Sequence, residues 1–217
     1  MTRDSLRRLL RLSQHPTAVE EPNNAAVLIL LDGNSEDVRV FLCVRSKNLR
    51  RHPGEVCFPG GMMDPEDEDV RWTAMREAEE EVGILPTDYE VLGNMPMFRA
   101  RFGILIHPTV AFLRNSWELR LNPDEVEFVF WLPLSRFLND DVHSSMQVDS
   151  HYLVHIFNFP EATTYGITAL LCILVSMGAL QRKPDFDLLV DLSVADLPSN
   201  SVAAIIVHAY SRIKMFL

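Results

Sequence analysis

Between Gly61 and Ile84 the chain concentrates negative charge where a simple core has no use for it. Five acids and one proline lie between Asp64 and Asp69, and a helix-forming run then carries four glutamates in the five positions 77–81. Like charges three and four apart on a helix repel by roughly 0.2–0.5 kcal/mol per pair. A bound divalent cation converts that repulsion into binding energy. With Val70 at zero, Glu80 falls at about 280°, Glu77 at about 340° and Glu81 at about 20° around the helix. Ala74, Ala78, Val82 and Met75 take the adjacent arc and read as the buried face. Glu79 falls at about 180°, away from the other three. Arg76 precedes Glu80 by four and can pair with it across a turn. Asp64, Glu66, Asp67 and Asp69 gather near the helix N-terminus, where negative charge is favoured, and Gly83 stops the helix. The alternative is a solvated acidic face on an ordinary surface helix.

The upstream residues bear on that choice. The spacing from Gly61 through Asp67 to Arg76-Glu77-Ala78, Glu80-Glu81 and Gly83-Ile84 resembles the Nudix box, the loop–helix–loop signature of Nudix hydrolases. Asp67 stands for the usual glutamate, and one extra residue separates it from Arg76. Both departures resemble the coenzyme A diphosphatase subgroup. So does the second motif, Arg45-Ser46, Arg50, Gly54 and Phe58-Pro59-Gly60-Gly61, although Cys43 stands where that subgroup often has Thr. The segments Asn122-Pro123-Asp124-Glu125-Val126, Trp131-Leu132-Pro133-Leu134, Tyr165-Gly166-Ile167-Thr168-Ala169 and Asp185-Phe186-Asp187 extend the likeness over roughly residues 25–192.

The resemblance implies an α/β fold, a Nudix-type α/β/α sandwich with a mixed β-sheet. It implies Mg²⁺- or Mn²⁺-dependent hydrolysis of the diphosphate of coenzyme A or its esters, giving 3′,5′-ADP and 4′-phosphopantetheine or its acyl form. Clustered carboxylates suit Mg²⁺, which prefers oxygen ligands. Glu77 and Glu81 are the expected metal ligands, with Glu80 joining. Arg76, Glu80, Glu81 and Glu125 are the expected catalytic residues, and the general base stays open among Glu80, Glu81, Glu125 and Glu127. Arg45, Ser46, Arg50, Gly54, Gly60 and Gly61 are the expected substrate-binding positions, the arginines because a guanidinium makes bidentate phosphate contacts. Two other readings stay open: a Nudix hydrolase for ADP-ribose, NADH or another nucleoside diphosphate derivative, and a non-catalytic CoA- or nucleotide-binding module.

Composition narrows the partners. The formal net charge of −10 argues against general nucleic-acid or membrane-surface binding. Basic residues cluster instead at Arg45, Lys47, Arg50, Arg51 and His52, with Arg99 and Arg101 as a smaller group. Cys43, Cys57 and Cys172 are odd in number and lack metal spacing, which points to a reducing compartment and core-filling thiols. The expected partner is a small molecule, without stable membrane insertion. A homo-oligomer is possible.

Strands are expected at Ala25–Asp32 and Val38–Arg45 around a Gly33-Asn34 turn, then at Glu55–Phe58, Tyr89–Met97, Ile104–Leu113, Glu127–Leu132 and His151–Phe159. Leu134–Leu138 reads as a helical turn. Ile167–Leu180 is nearly all apolar and, at 14 residues, too short for the roughly 20 needed to span a bilayer, so it reads as a buried core helix. A last helix, about Ser201–Met215, follows a capping loop from Asp196 to Asn200. The expected organisation is an extension over 1–24, a hydrolase domain over 25–192 and a C-terminal helix over 193–217 packed on the same domain. Met1–Ser13, with four arginines and leucines 6, 9, 10 and 12, reads either as a first helix packed on the domain or as a mitochondrial presequence. Some members of the resembling subgroup are peroxisomal through a Ser-Lys-Leu-type tail. The ending Met215-Phe216-Leu217 is not of that type.

Overall fold

A computed structural model of the chain describes residues 2–12, 23–34, 37–150, 152–190, 193 and 202–216. Its centre is β1 (Asn24–Gly33), where Ala26, Leu28 and Leu30 point to one face and Ile29 and Leu31 to the other, all fully buried. A strand apolar on both faces belongs in the middle of a covered sheet. β1 pairs antiparallel with β2 (Val38–Arg45) around the expected turn, and parallel with β7 (Leu105–Leu113). The sheet is completed by β3 (Val56–Cys57) and β8 (Val126–Pro133) on β2, by β4 (Gly60–Met62) on β1, and by β5 (Tyr89–Asn94) and β6 (Phe98–Arg99) on β7. It is therefore mixed.

Helix α2 (Val70–Val82) covers one face. Val70, Ala74, Ala78 and Val82 pack on Ala26, Leu28, Leu30, Phe41 and Cys43, and the two alanines let the helix lie close. Helix α3 (Gly166–Leu180) covers the other face. Residues 169–179 are all buried, because the sheet, α1 (Thr2–Leu12), α4 (Val202–Phe216), the turn at Leu134–Leu138 and β10 (Leu153–Asn158) surround the helix. The result is an α/β/α sandwich. Leu6 and Leu10 of α1 are buried in the α3-side core. No described helix is long and apolar enough to cross a membrane.

Four short strands lie outside the expected set. β4 contains a Gly-Gly pair that reads as a turn, and β6 has only two residues. β9 (His143–Gln147) is polar and mostly exposed, and β11 (Thr163–Tyr165) has three residues; both pair with β10 in a separate three-stranded sheet. None presents an apolar alternation. The expected capping segment 196–200, with Ser201 and Leu217, lies outside the described residues.

Candidate active site

The two ends of α2 are fixed as its sequence implies. The Asp69 carboxylate caps the N-terminus by accepting from the Arg71 and Trp72 N–H groups at 2.8 and 3.0 Å. Gly83 closes the C-terminus in the left-handed conformation, its N–H reaching the Glu79 carbonyl. The loop ahead of the helix is held by one guanidinium. Arg76 donates to both oxygens of buried Asp67 at 2.9 Å, to the Met62 carbonyl at 3.2 Å, and to Glu77 and Glu80 at 3.1 Å each. Its hydrogen bonds hold the Asp67 carboxyl below the usual carboxylate range, and Asp67 in turn raises the Arg76 pKa. The expected Arg76–Glu80 pair is present, but the bidentate partner is Asp67.

Beyond this clamp, three carboxylates converge. Oxygens of Glu77, Glu81 and Glu125 lie within 4.8 Å of one another. Glu77 and Glu81 come from one face of α2, and Glu125 from the turn before β8. Glu81 is 3% exposed and accepts the Gly60 N–H at 3.2 Å. Burial, and then the charges of Glu77 and Glu125, push its carboxyl up to about 8, while the Gly60 hydrogen bond and Arg45 act in the opposite direction. Burial also raises Glu77, against the pull of Arg76. Glu125 is anchored through Asn122 Nδ2, which donates to its Oε1 at 3.2 Å, and through its carbonyl, which accepts the Ser46 N–H at 2.8 Å.

The glycines of the adjoining turn are required by contact. A Cβ on Gly60 would stand 2.3 Å from the Ala26 carbonyl oxygen, and Gly60 has φ 156°. A Cβ on Gly61 would stand 2.4 Å from Glu77 Oε1. The turn therefore runs with its bare backbone against the carboxylates. The three acids offer only oxygen donors, and burial disfavours the anionic form of Glu77 and Glu81. That donor set fits a hard divalent cation such as Mg²⁺.

The other expected residues are placed as follows. Glu80 has its side chain 55% exposed and pairs with Arg76; it is not among the three converging carboxylates, because it lies a step round the helix from Glu77 and Glu81. Glu79 is exposed. Glu127 pairs with Lys47 at 2.8 Å on the surface. Arg45 stands at the end of β2, and its Nε is buried without a partner. The β2–β8 register shifts between Val44 and Arg45, and on the other side Gly54 N–H donates to the Arg45 carbonyl at 3.1 Å and Arg45 N–H to the Glu55 carbonyl at 3.0 Å, with Gly54 at φ 73°. Ser46 is buried, and its Oγ accepts the Asn48 N–H at 3.4 Å, shaping the turn. Arg50 and Arg51 are exposed. Cys43 and Cys172 are buried; burial pushes Cys57 up to about 12, so its thiol is protonated at neutral pH. Two features were not expected: the Asn122 anchor under Glu125, and Cys43 standing directly opposite Cys57 across β2 and β3.

The chain is similar to a family model and to several known proteins, and the family model spans the site residues. The NUDIX domain model matches residues 21–150. The peroxisomal coenzyme A diphosphatase ndx-8 of Caenorhabditis elegans is 54% identical over 213 residues, covering 95% of this chain and 91% of its own length. The peroxisomal coenzyme A diphosphatase NUDT7 of Mus musculus is 36% identical over 179 residues, covering 78% of this chain and 76% of its own. The mitochondrial Nudix hydrolase 15 of Arabidopsis thaliana is 36% identical over 185 residues, covering 81% of this chain and 65% of its own.

Proposed function

We propose that this chain, which belongs to the Nudix hydrolase family, cleaves the diphosphate linkage of coenzyme A and of its thioesters. The products are 3′,5′-ADP and 4′-phosphopantetheine or its acyl form. The observation that carries the chemistry is the convergence of Glu77, Glu81 and Glu125 beside the bare Gly60-Gly61 backbone. The 54% identity to a protein named a coenzyme A diphosphatase supports the substrate.

A divalent cation, when bound, neutralises diphosphate oxygens and makes nearby water more acidic. Glu77 and Glu81 would hold it, from one face of α2. We assign Glu125 the proton of the attacking water, because it approaches from a different element and Asn122 orients its carboxylate. Arg76 acts as a positioning residue: its bonds to Asp67, Glu77 and Met62 keep the loop and the helix in register. Arg45 presents a guanidinium to the same region and serves a phosphate oxygen there. Arg50, which is exposed, serves a phosphate farther out. The small-molecule substrate meets local positive charge against a chain of net charge −10. We further propose an intracellular compartment with a reduced thiol pool, in keeping with three free cysteines and with the peroxisomal names of two relatives.

A substrate panel tests the reading. Coenzyme A, an acyl-CoA, ADP-ribose and NADH are incubated separately with Mg²⁺ or Mn²⁺, and product masses are recorded. Cleavage of the CoA compounds to 3′,5′-ADP is expected. Turnover of ADP-ribose or NADH with CoA left intact would refute it.

A further inference from the structure

We propose that Cys43 and Cys57 are a modification site: a peroxide closes them into a reversible disulfide across β2 and β3, and closure slows turnover. The observation is the strand register. Cys43 and Cys57 are direct antiparallel partners, next to the pair Val44 and Val56. Directly opposed residues point to the same face of a sheet, and both cysteines pack on the α2-side core. Facing partners have Cα atoms about 4.5–5.5 Å apart, inside the roughly 4.4–6.8 Å span of disulfides. Facing Cβ atoms are about 4.5–5.5 Å apart, whereas a disulfide brings them to about 3.8 Å. Closure therefore draws the strands together locally, and a bond made under such strain is easily reduced.

The chemistry has a defined order. Cys43 is fully buried, while Cys57 is partly exposed. The Cys57 sulfur therefore attacks the peroxide oxygen first, forming a sulfenic acid and releasing one water. The Cys43 sulfur then attacks the Cys57 sulfur and expels the hydroxyl as a second water. Two thiols lose two hydrogens and two electrons, and one peroxide is reduced to two waters. Burial disfavours both thiolates, so the pair rests reduced and closes slowly.

Closure reaches the active site because β3 leads straight into it. Three residues after Cys57, Gly60 donates its N–H to Glu81. The intervening Pro59 carbonyl accepts the Leu28 N–H at 2.8 Å, and the Val56 carbonyl accepts the Thr168 hydroxyl at 3.0 Å. The strand is held on both sides of Cys57, so a shift there is not absorbed elsewhere. A misplacement on the order of 1 Å is enough to cost large factors in rate.

The full chain is treated with hydrogen peroxide, the peroxide is removed with catalase, and thiols are counted after denaturation. The expected count falls from three to one, leaving Cys172. Unreduced digests contain the Cys43 and Cys57 peptides linked and lighter by two hydrogens. Turnover falls at least about tenfold and returns with dithiothreitol. Cys43→Ser and Cys57→Ser each abolish the linked peptide, so either one that folds serves as the control. Absence of the linked peptide in the wild type overturns the site, whatever the substrate proves to be. A complete linkage that leaves turnover unchanged overturns the switch.

Discussion

Arg76 and Glu81 divide the labour of the acidic helix between holding and binding. The Arg76 guanidinium is committed to Asp67, Glu77, Glu80 and Met62, so it organises carboxylates instead of meeting substrate. Asp67→Asn should lower stability by about 1.5–3 kcal/mol, the scale of a charge-assisted hydrogen bond, as read by denaturant unfolding. It should also loosen metal binding, because Glu77 would then lose its fixed neighbour. Glu79→Gln, on the exposed side of the helix, should leave both unchanged. Arg50→Ala should raise KM with little change in kcat, the pattern of a contact made equally in ground and transition states. Steady-state kinetics with CoA unchanged in both constants would show Arg50 to be only a solvated surface residue. The arc of Glu77 and Glu81 was legible in the sequence because helical periodicity sets it. The Arg76–Glu80 pair was legible from the same spacing, and Glu125 was an expected catalytic residue; that Glu125 and not Glu80 completes the cluster was not legible, since position 125 is brought in by the pairing of β8 with β2.

Strands and helices explain why two adjacent glycines have different jobs. Gly60 meets the backbone of β1, and Gly61 meets the Glu77 carboxylate. Gly60→Ala combines a positive φ with a 2.3 Å approach to a carbonyl and should cost at least roughly 1–3 kcal/mol of stability. Gly61→Ala has no such φ; it should fold with a near-native melting temperature yet lose metal affinity, because Glu77 must move. Calorimetric unfolding and Mg²⁺ titration of the two variants check this, and equal losses in both would contradict it. The long strands and helices were legible from apolar runs and periodicity. β9 was not, because a polar, exposed strand such as His143–Gln147 leaves no hydrophobic pattern.

At the scale of the whole molecule, the α/β/α layering follows from β1 being apolar on both faces and α3 being apolar all round. The separate sheet of β9, β10 and β11 holds a histidine pair. His155 is 1% exposed, with Nδ1 3.0 Å from His143 Nε2 and Nε2 3.1 Å from the Leu188 carbonyl oxygen. Burial pushes its pKa down from 6.5 to about 4. The unfolded chain therefore binds this proton more readily than the folded one. Stability should be lost as pH falls from 6.5 toward 4, by up to about 3 kcal/mol from this group. His155→Gln should flatten that part of the profile in urea unfolding; an unchanged slope would show that His155 does not contribute. This pair was invisible in the sequence because the residues lie twelve apart on neighbouring strands.

The carboxylates of Glu77, Glu81 and Glu125, converging beside α2, are proposed to serve hydrolysis of the diphosphate of coenzyme A. The most direct measurement follows CoA with Mg²⁺ for the wild type and for Glu81→Gln side by side, with product masses and circular dichroism recorded for both. The wild type should release 3′,5′-ADP and 4′-phosphopantetheine in equal amounts. Glu81→Gln, equally folded, should do so at least about 100-fold more slowly, the scale of losing one key electrostatic group. Equal rates for the two proteins, or no 3′,5′-ADP from the wild type, would contradict the account.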